Sequence, residues 1–242
     1  MNRLSIPALL TLTLTLTLPA TTSLAGDTGL DDLPGDLLED LGALPSTENA
    51  WWLLGGTALT IIAHELEDPA GARRALDDNF LDPIVDFGNI WGDARVQVPL
   101  ALGTWIYGGL ADNDEVGGLG YDLSRSLLLT YSFTGVIKHT VNRTRPNGDD
   151  LSFPSGHTAA AFSTAGVVTR RYGGWAGGIT VGLGVLTALG RMEDMKHYAS
   201  DVVAGATIGW IIGRTVARDG RRDENAWRLV PTMGGLTVVG RF

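Results

Sequence analysis

Three short stretches concentrate the residues that could do chemistry. The first runs from Lys138 to Arg145 and Pro146, the second is Phe153-Pro154-Ser155-Gly156-His157-Thr158, and the third is Gly190-Arg191 followed by His197 and Asp201. Lys138 and Arg145 are seven apart, so two helical turns would put both on one face, with Pro146 ending that helix. Ser155 follows a proline and precedes an Ala-rich apolar run, the setting of a helix N-cap. The N–H groups after it, from Gly156 onward, would then point outward at a helix N-terminus, where anions bind. His197 and Asp201 are four apart and would be neighbours on a helix. A carboxylate beside an imidazole fixes its tautomer and steadies its charged form. Together these parts describe a phosphate site. Singly each has a plainer explanation: solvated helix ends, an ordinary cap, a surface pair, and Arg191 capping helix carbonyls. His64 and His139 read as structural or solvent-facing.

Such residues need elements to position them. The chain has 242 residues, 44% of them hydrophobic and 19% charged, with no Cys, which suits one domain with a substantial core. That balance excludes disorder, and the missing Cys excludes a disulfide scaffold, a thiolate zinc site and a cysteine nucleophile. A formal net charge of -9 disfavours nucleic acid, so an anionic substrate must be captured by local cations. Six apolar stretches, residues 51–63, 96–110, 126–137, 158–169, 173–190 and 202–213, are too long for strands and lack their alternation, which predicts helices. The three clusters then end the third helix, open the fourth, and join the fifth to the sixth.

The flanks read differently. Residues 1–25 have a charged start, a Leu-rich run and a small-residue cleavage pattern, as in a secretory signal peptide. Residues 26–50 are acidic, and Leu30, Leu33, Leu37, Leu38, Leu41 and Leu44 give helical spacing, which predicts an amphipathic arm packed on the body. Residues 65–95 suggest one more amphipathic helix, and 111–120 and 147–153 suggest loops. The body spans 51–218. The tail, 219–242, holds two apolar segments around Pro231-Thr-Met-Gly-Gly, which predicts a short β-hairpin. The expected fold is therefore all-α, a bundle of about six core helices with an N-terminal arm and a C-terminal hairpin. Five of the six stretches are shorter than the ~20 residues of a membrane span. The expectation is an exported, periplasmic bundle, soluble or lying against a membrane, rather than a multi-span protein. Several of the seven Trp adjoin apolar stretches, as at a membrane interface or in an ordinary core.

In order and spacing the three clusters resemble the signature of the type 2 phosphatidic acid phosphatase family, which shares its core with bacterial acid phosphatases and vanadium haloperoxidases. The resemblance covers residues 51–216, with Gly190 where many members carry Ser. It implies hydrolysis of phosphomonoesters or lipid (di)phosphates through a phosphohistidine. His197 would attack phosphorus, with Asp201 holding its other ring nitrogen. His157 would protonate the leaving oxygen and then activate water. Lys138, Arg145 and Arg191 would bind the phosphate oxygens, with Ser155 and the Gly156 N–H adding donors. With cations in that role no metal or other cofactor is expected, and vanadate is expected to inhibit. The alternatives are a vanadium-dependent haloperoxidase and a non-catalytic phosphate-binding protein of the same fold. The expected partners are a phosphate ester or lipid phosphate and a membrane surface, with no nucleic acid.

Overall fold

A computed structural model describes residues 29–76, 82–217, 228–232 and 235–239. The export signal read in residues 1–25 and much of the tail lie outside the described residues. Among them are nine helices: α1 (Leu33–Ala43), α2 (Thr47–Glu65), α3 (Pro69–Leu76), α4 (Asp82–Trp91), α5 (Ala94–Leu110), α6 (Asp114–Val141), α7 (Gly156–Tyr172), α8 (Gly174–Glu193) and α9 (Ala199–Val216). The body is all-helical. Two short strands, β1 (Arg228–Thr232) and β2 (Gly235–Val239), pair antiparallel with Leu229 opposite Val238.

Each of the six apolar stretches lies in a helix, namely α2 and α5 to α9. The arrangement turns on α7 and α9. Gly205, Gly209 and Gly213 form one stripe on α9, and a Cβ on any of them would collide with the carbonyl oxygen of Ser155, Ala159 or Ser163 on α7. The pairs rise together in number, so the two helices run parallel with backbones nearly touching. Small residues permit that approach on both sides: Ala159, Ala160, Ala161 and Ala165 are fully buried. A parallel pair needs a return, and α8 supplies it, running back along α7 with Gly184 against Phe162 and Gly177 against Thr169. On the other flank α6 lies antiparallel to α7, with Thr130 Oγ1 bonded to Ser163 Oγ at 3.1 Å. Asn49 Nδ2 donates to Thr215 Oγ1 at 2.8 Å and fixes α2 along α9.

The structure departs from three expectations. The Gly-rich residues read as a loop at 111–120 belong mostly to α6, which starts at Asp114. They are glycine because α5 lies on them: a Cβ on Gly120 would collide with the backbone N of Trp105. The single amphipathic helix expected at 65–95 is two helices, α3 and α4, with 77–81 outside the described residues. The body also extends beyond six helices, because α4 packs along α8. A Cβ on Gly190 would fall 2.6 Å from the Val85 carbonyl oxygen and 2.8 Å from Asn89 Oδ1. The position where relatives of the expected family carry Ser is thus filled by a neighbouring helix.

The arm is tied to the body by charge. Arg125 of α6 is buried and donates to Asp40 of α1 at 2.6 Å and to Asp122 at 2.8 Å, while Tyr121 donates to Asp36 at 2.8 Å. No helix among the described residues is long and apolar enough to cross a membrane. Two outcomes test these contacts by urea denaturation. Arg125→Met should cost about 3–5 kcal/mol, because two buried carboxylates lose their shared cation. Gly209→Ala should cost about 1–3 kcal/mol by overpacking the α7–α9 contact. A neutral result in either case would show that the contact is not holding the fold.

Candidate active site

Five helix ends meet at one place. The N-termini of α5, α7 and α9 point there with their free N–H groups and positive dipole ends. The C-terminal turns of α6 and α8 bring Lys138 and Arg191. Between them is a cavity of about 320 Å³ lined by Lys138, Arg145, Gly156, His157, Arg191 and His197, with Tyr131 and Thr134 at one side. Six of the residues singled out in the sequence therefore line it. Ser155 and Asp201 do not, and stand behind its wall.

Lys138 sits in the last turn of α6, and its Nζ donates to the Leu151 carbonyl at 2.6 Å. Burial, helped by Arg145 and Arg191, pushes its ammonium down to about 8. Arg145 does not share its helix, contrary to the spacing argument. The helix stops because Asn142 takes the left-handed conformation, φ 46° and ψ 45°, which Asn tolerates at a C-cap. Arg145 returns to the cavity through a loop held by its Nε bond to the Asp150 carbonyl at 2.9 Å. That loop is tied to the His197 loop by Lys196 to Asp149 at 2.9 Å and by Asn147 N–H to the Met195 carbonyl at 3.1 Å. Arg191 donates to Asn89 Oδ1 and Asp194 Oδ2, both at 3.2 Å, and burial lowers its hold on a proton.

Ser155 is the N-cap of α7. Its Oγ accepts from Thr158 N–H at 3.4 Å and pairs with Thr158 Oγ1 at 3.0 Å, and its own N–H donates to the Asp201 carbonyl at 2.9 Å. Its hydroxyl thus serves the cap, while the next residue, Gly156, faces the cavity.

His197 precedes α9 rather than lying on it, because the helix begins at Ala199. Its N–H donates to the Arg191 carbonyl at 3.1 Å, and the ring is only 3% exposed. Its Nδ1 lies 3.6 Å from Asp201 Oδ2. Burial pushes His197 down to about 4, against the pull of Asp201 and with a push from Lys138. Asp201 is fully buried. Burial alone would raise its carboxyl, but His197, Ser152 Oγ, Tyr198 N–H at 2.9 Å and Arg143 at 2.9 Å outweigh it and hold it below the usual range. His157 is also pushed down to about 4, by burial first and then by Arg191, and its Nε2 faces Asp93 Oδ2 at 3.6 Å. Asp93 caps α5, accepts from Arg95 N–H at 2.8 Å and binds the Arg95 side chain at 3.0 and 2.7 Å, which holds its carboxyl well below the usual range.

Four contributors were missed in the sequence. Arg143 binds Asp201, Ser200 Oγ at 2.7 Å and Glu67 at 2.6 Å, and stacks 3.9 Å above the Tyr198 ring. It lies inside the first cluster, two residues before Arg145, where only its charge could have flagged it. Asp93 precedes an apolar run and carries an ordinary N-cap signal. Glu67 and Ser152 carry no local signal, since only folding brings them to Ser200 and Asp201.

Residues 120–223 match the family model of the PAP2 superfamily. Among curated proteins, the chain is 30% identical to the lipid A 4′-phosphatase of Helicobacter pylori over 153 residues, which is 58% of this chain and 73% of that protein. It is 36% identical to the lipid A 1-phosphatase of Porphyromonas gingivalis over 80 residues, 31% of this chain but only 18% of that protein. No solved structure matches the chain. Residues 120–223 include α7, α8, α9 and most of α6, with Lys138, Arg145, His157, Arg191 and His197, and the chain belongs to the PAP2 superfamily.

Proposed function

We propose that the chain hydrolyses the phosphate ester of a lipid, without a metal ion, through a phosphohistidine on His197. One observation carries this reading: a buried histidine backed by a buried carboxylate opens on a cavity ringed by Lys138, Arg145 and Arg191. With Nδ1 turned to Asp201, Nε2 is left to attack. The phosphorus–ester oxygen bond breaks as the nitrogen–phosphorus bond forms, and His157 gives its proton to the leaving oxygen. Water then attacks the phosphohistidine, His157 takes its proton, and phosphate leaves with His197 restored. The cations and the α7 N-terminus hold the equatorial oxygens, which is most of what phosphoryl transfer requires. The incoming phosphate offsets Arg191 and Arg145, two of the groups that keep His157 unprotonated, and so restores its acidity. The lipid substrate is supported by the names of both curated relatives. Contact with a membrane surface is supported by the outer faces of α2 and α5, where Trp51, Leu54, Ile61, Ile106 and Leu110 stand exposed.

Rapid quenching with a radiolabelled lipid phosphate should trap label on the wild type and none on His197→Ala. Label on both would overturn the nucleophile. His157→Ala should lose about 10²–10⁴-fold on alkyl phosphates, the usual worth of a general acid. It should lose far less on p-nitrophenyl phosphate, whose leaving group needs no proton, and equal losses would contradict the role. Activity should survive chelator and fall to vanadate.

The pH dependence follows from the free enzyme. Lys138, lowered to about 8, sheds its charge as pH rises through that value, so kcat/KM falls on the basic side. His197, lowered to about 4, gains a proton and loses its nucleophilic lone pair as pH falls through that value. On p-nitrophenyl phosphate, whose leaving group needs no proton from His157, the profile should be a plateau between the two once the ester's own ionisation, near pH ~6, is divided out. Lys138→Arg should shift the basic limb upward by more than a unit, because a guanidinium does not deprotonate in this range. An unmoved limb would show that another group sets it.

A further inference from the structure

The phosphate cavity adjoins a second, apolar one. Tyr131 lines both. On α6 a single stripe connects them: Leu127, Leu128 and Tyr131 face the apolar cavity, and Tyr131, Thr134 and Lys138 face the phosphate site. These positions recur at three and four residues, so they form one face of the helix. The antiparallel α5 repeats the pattern, with Ala94 in the phosphate site and Val98, Ala101, Leu102 and Trp105 in the apolar cavity. The space is thus a trough between two helices, running about 16 Å along α6 from Lys138 to Leu127 at ~1.5 Å per residue. It ends where the α5 and α6 backbones touch, at Trp105 and Gly120. Leu30 and Leu33, at and before the start of α1, form its far wall.

We infer that this trough holds one hydrocarbon chain of the substrate whose phosphate occupies the cavity, an inference that rests on the lipid phosphatase reading. Its volume, about 550 Å³, falls among ligand sites, which run from ~300 to ~1,000 Å³. Its chemistry suits a hydrocarbon. Ser124 and Ser132 line it but spend their hydroxyls on the carbonyls of Gly120 and Leu128 at 2.7 and 2.8 Å. The Tyr131 hydroxyl is buried without a hydrogen-bond partner, at the junction of the two spaces. That is where the oxygen-bearing linker of a lipid, between chain and phosphate, would lie and could accept from it.

The test uses monoalkyl phosphates from ethyl to octyl, below their micelle concentrations. In wild type kcat/KM should climb up to about fourfold per methylene, the gain for burying one CH₂ group. Leu102 and Leu128 stand at the rim, 41% and 48% exposed, so Leu102→Trp and Leu128→Trp can fill the trough without disturbing the core. Either should flatten the climb, with octyl phosphate losing far more kcat/KM than ethyl phosphate. A flat series in wild type, or a climb that both variants preserve, overturns the assignment. A binding arm separates this from failure of the hydrolase reading. A bromo-octyl phosphonate, which cannot be hydrolysed, should quench fluorescence that Trp105→Phe removes. Quenching without turnover of any ester would keep the trough and discard the phosphatase. Turnover without quenching would discard the trough. Loss of a dimer in Leu102→Trp, with a flat series in wild type, would assign the trough to a second copy and overturn the inference.

Discussion

How closely α7 can lie against α9 decides the geometry of everything at the site. With glycine at 205, 209 and 213 the carbonyls of Ser155, Ala159 and Ser163 sit in van der Waals contact with the α9 backbone. These pairs fix where α7 begins along α9, with its N-cap Ser155 against Gly205. The first turn of α7 therefore carries His157 to the place where α9 begins, and Ser155 N–H bonds the Asp201 carbonyl. A side chain in the stripe would separate the helices, and the cavity between their N-termini would widen with them. A misplacement of about 1 Å can cost an enzyme about 10²-fold. The glycines are thus remote from the chemistry in sequence and central to it in space.

Charge is arranged against its own comfort. Lys138, Arg145 and Arg191 line one small cavity, and each lowers the hold of a neighbour on its proton: Arg145 and Arg191 act on Lys138, and Arg145 acts on Arg191. Three helix N-termini add partial positive charge. Asp194 relieves part of this at Arg191, 3.2 Å away. Asp201 is turned to His197 and Arg143, and Asp93 to Arg95. A phosphate entering this space relieves the repulsion at each cation, and the transition state, with charge spread over equatorial oxygens, relieves it further. Such preorganised charge is what a water-excluding site gains most from.

Much of this was legible because local chemistry required it. Ser155 as N-cap and the helical character of six apolar stretches follow from residue types and spacing, and the grouping of Lys138, Arg145, His157, Arg191 and His197 follows from the family resemblance. The errors arose where tertiary contact outweighs local pattern. Seven-residue spacing suggested one helix face for Lys138 and Arg145, but a left-handed Asn142 ends the helix between them, and the loop delivers Arg145 to the same place. Glycines at 117 and 120 looked like loop residues, although both are helical and Gly120 is small because α5 lies on it. Glu67 and Ser152 were silent because their meaning is a contact made over more than forty residues.

In the proposed mechanism the two histidines are told apart by geometry, not acidity. Both are pushed to about 4, so neither titration separates the proposed nucleophile from the proposed acid. An acid–base pair ordinarily works because its environments push the two groups apart. Here the carboxylates behind them differ instead. Asp201 is fully buried, fixed by donors from Ser152, Tyr198 and Arg143, and stands 3.6 Å from His197 Nδ1. Asp93 shares its charge with an exposed Arg95, and the His157 side chain is one-third exposed. His157 therefore has a weaker anchor and a route to water, which a group that must give up a proton and regain one requires.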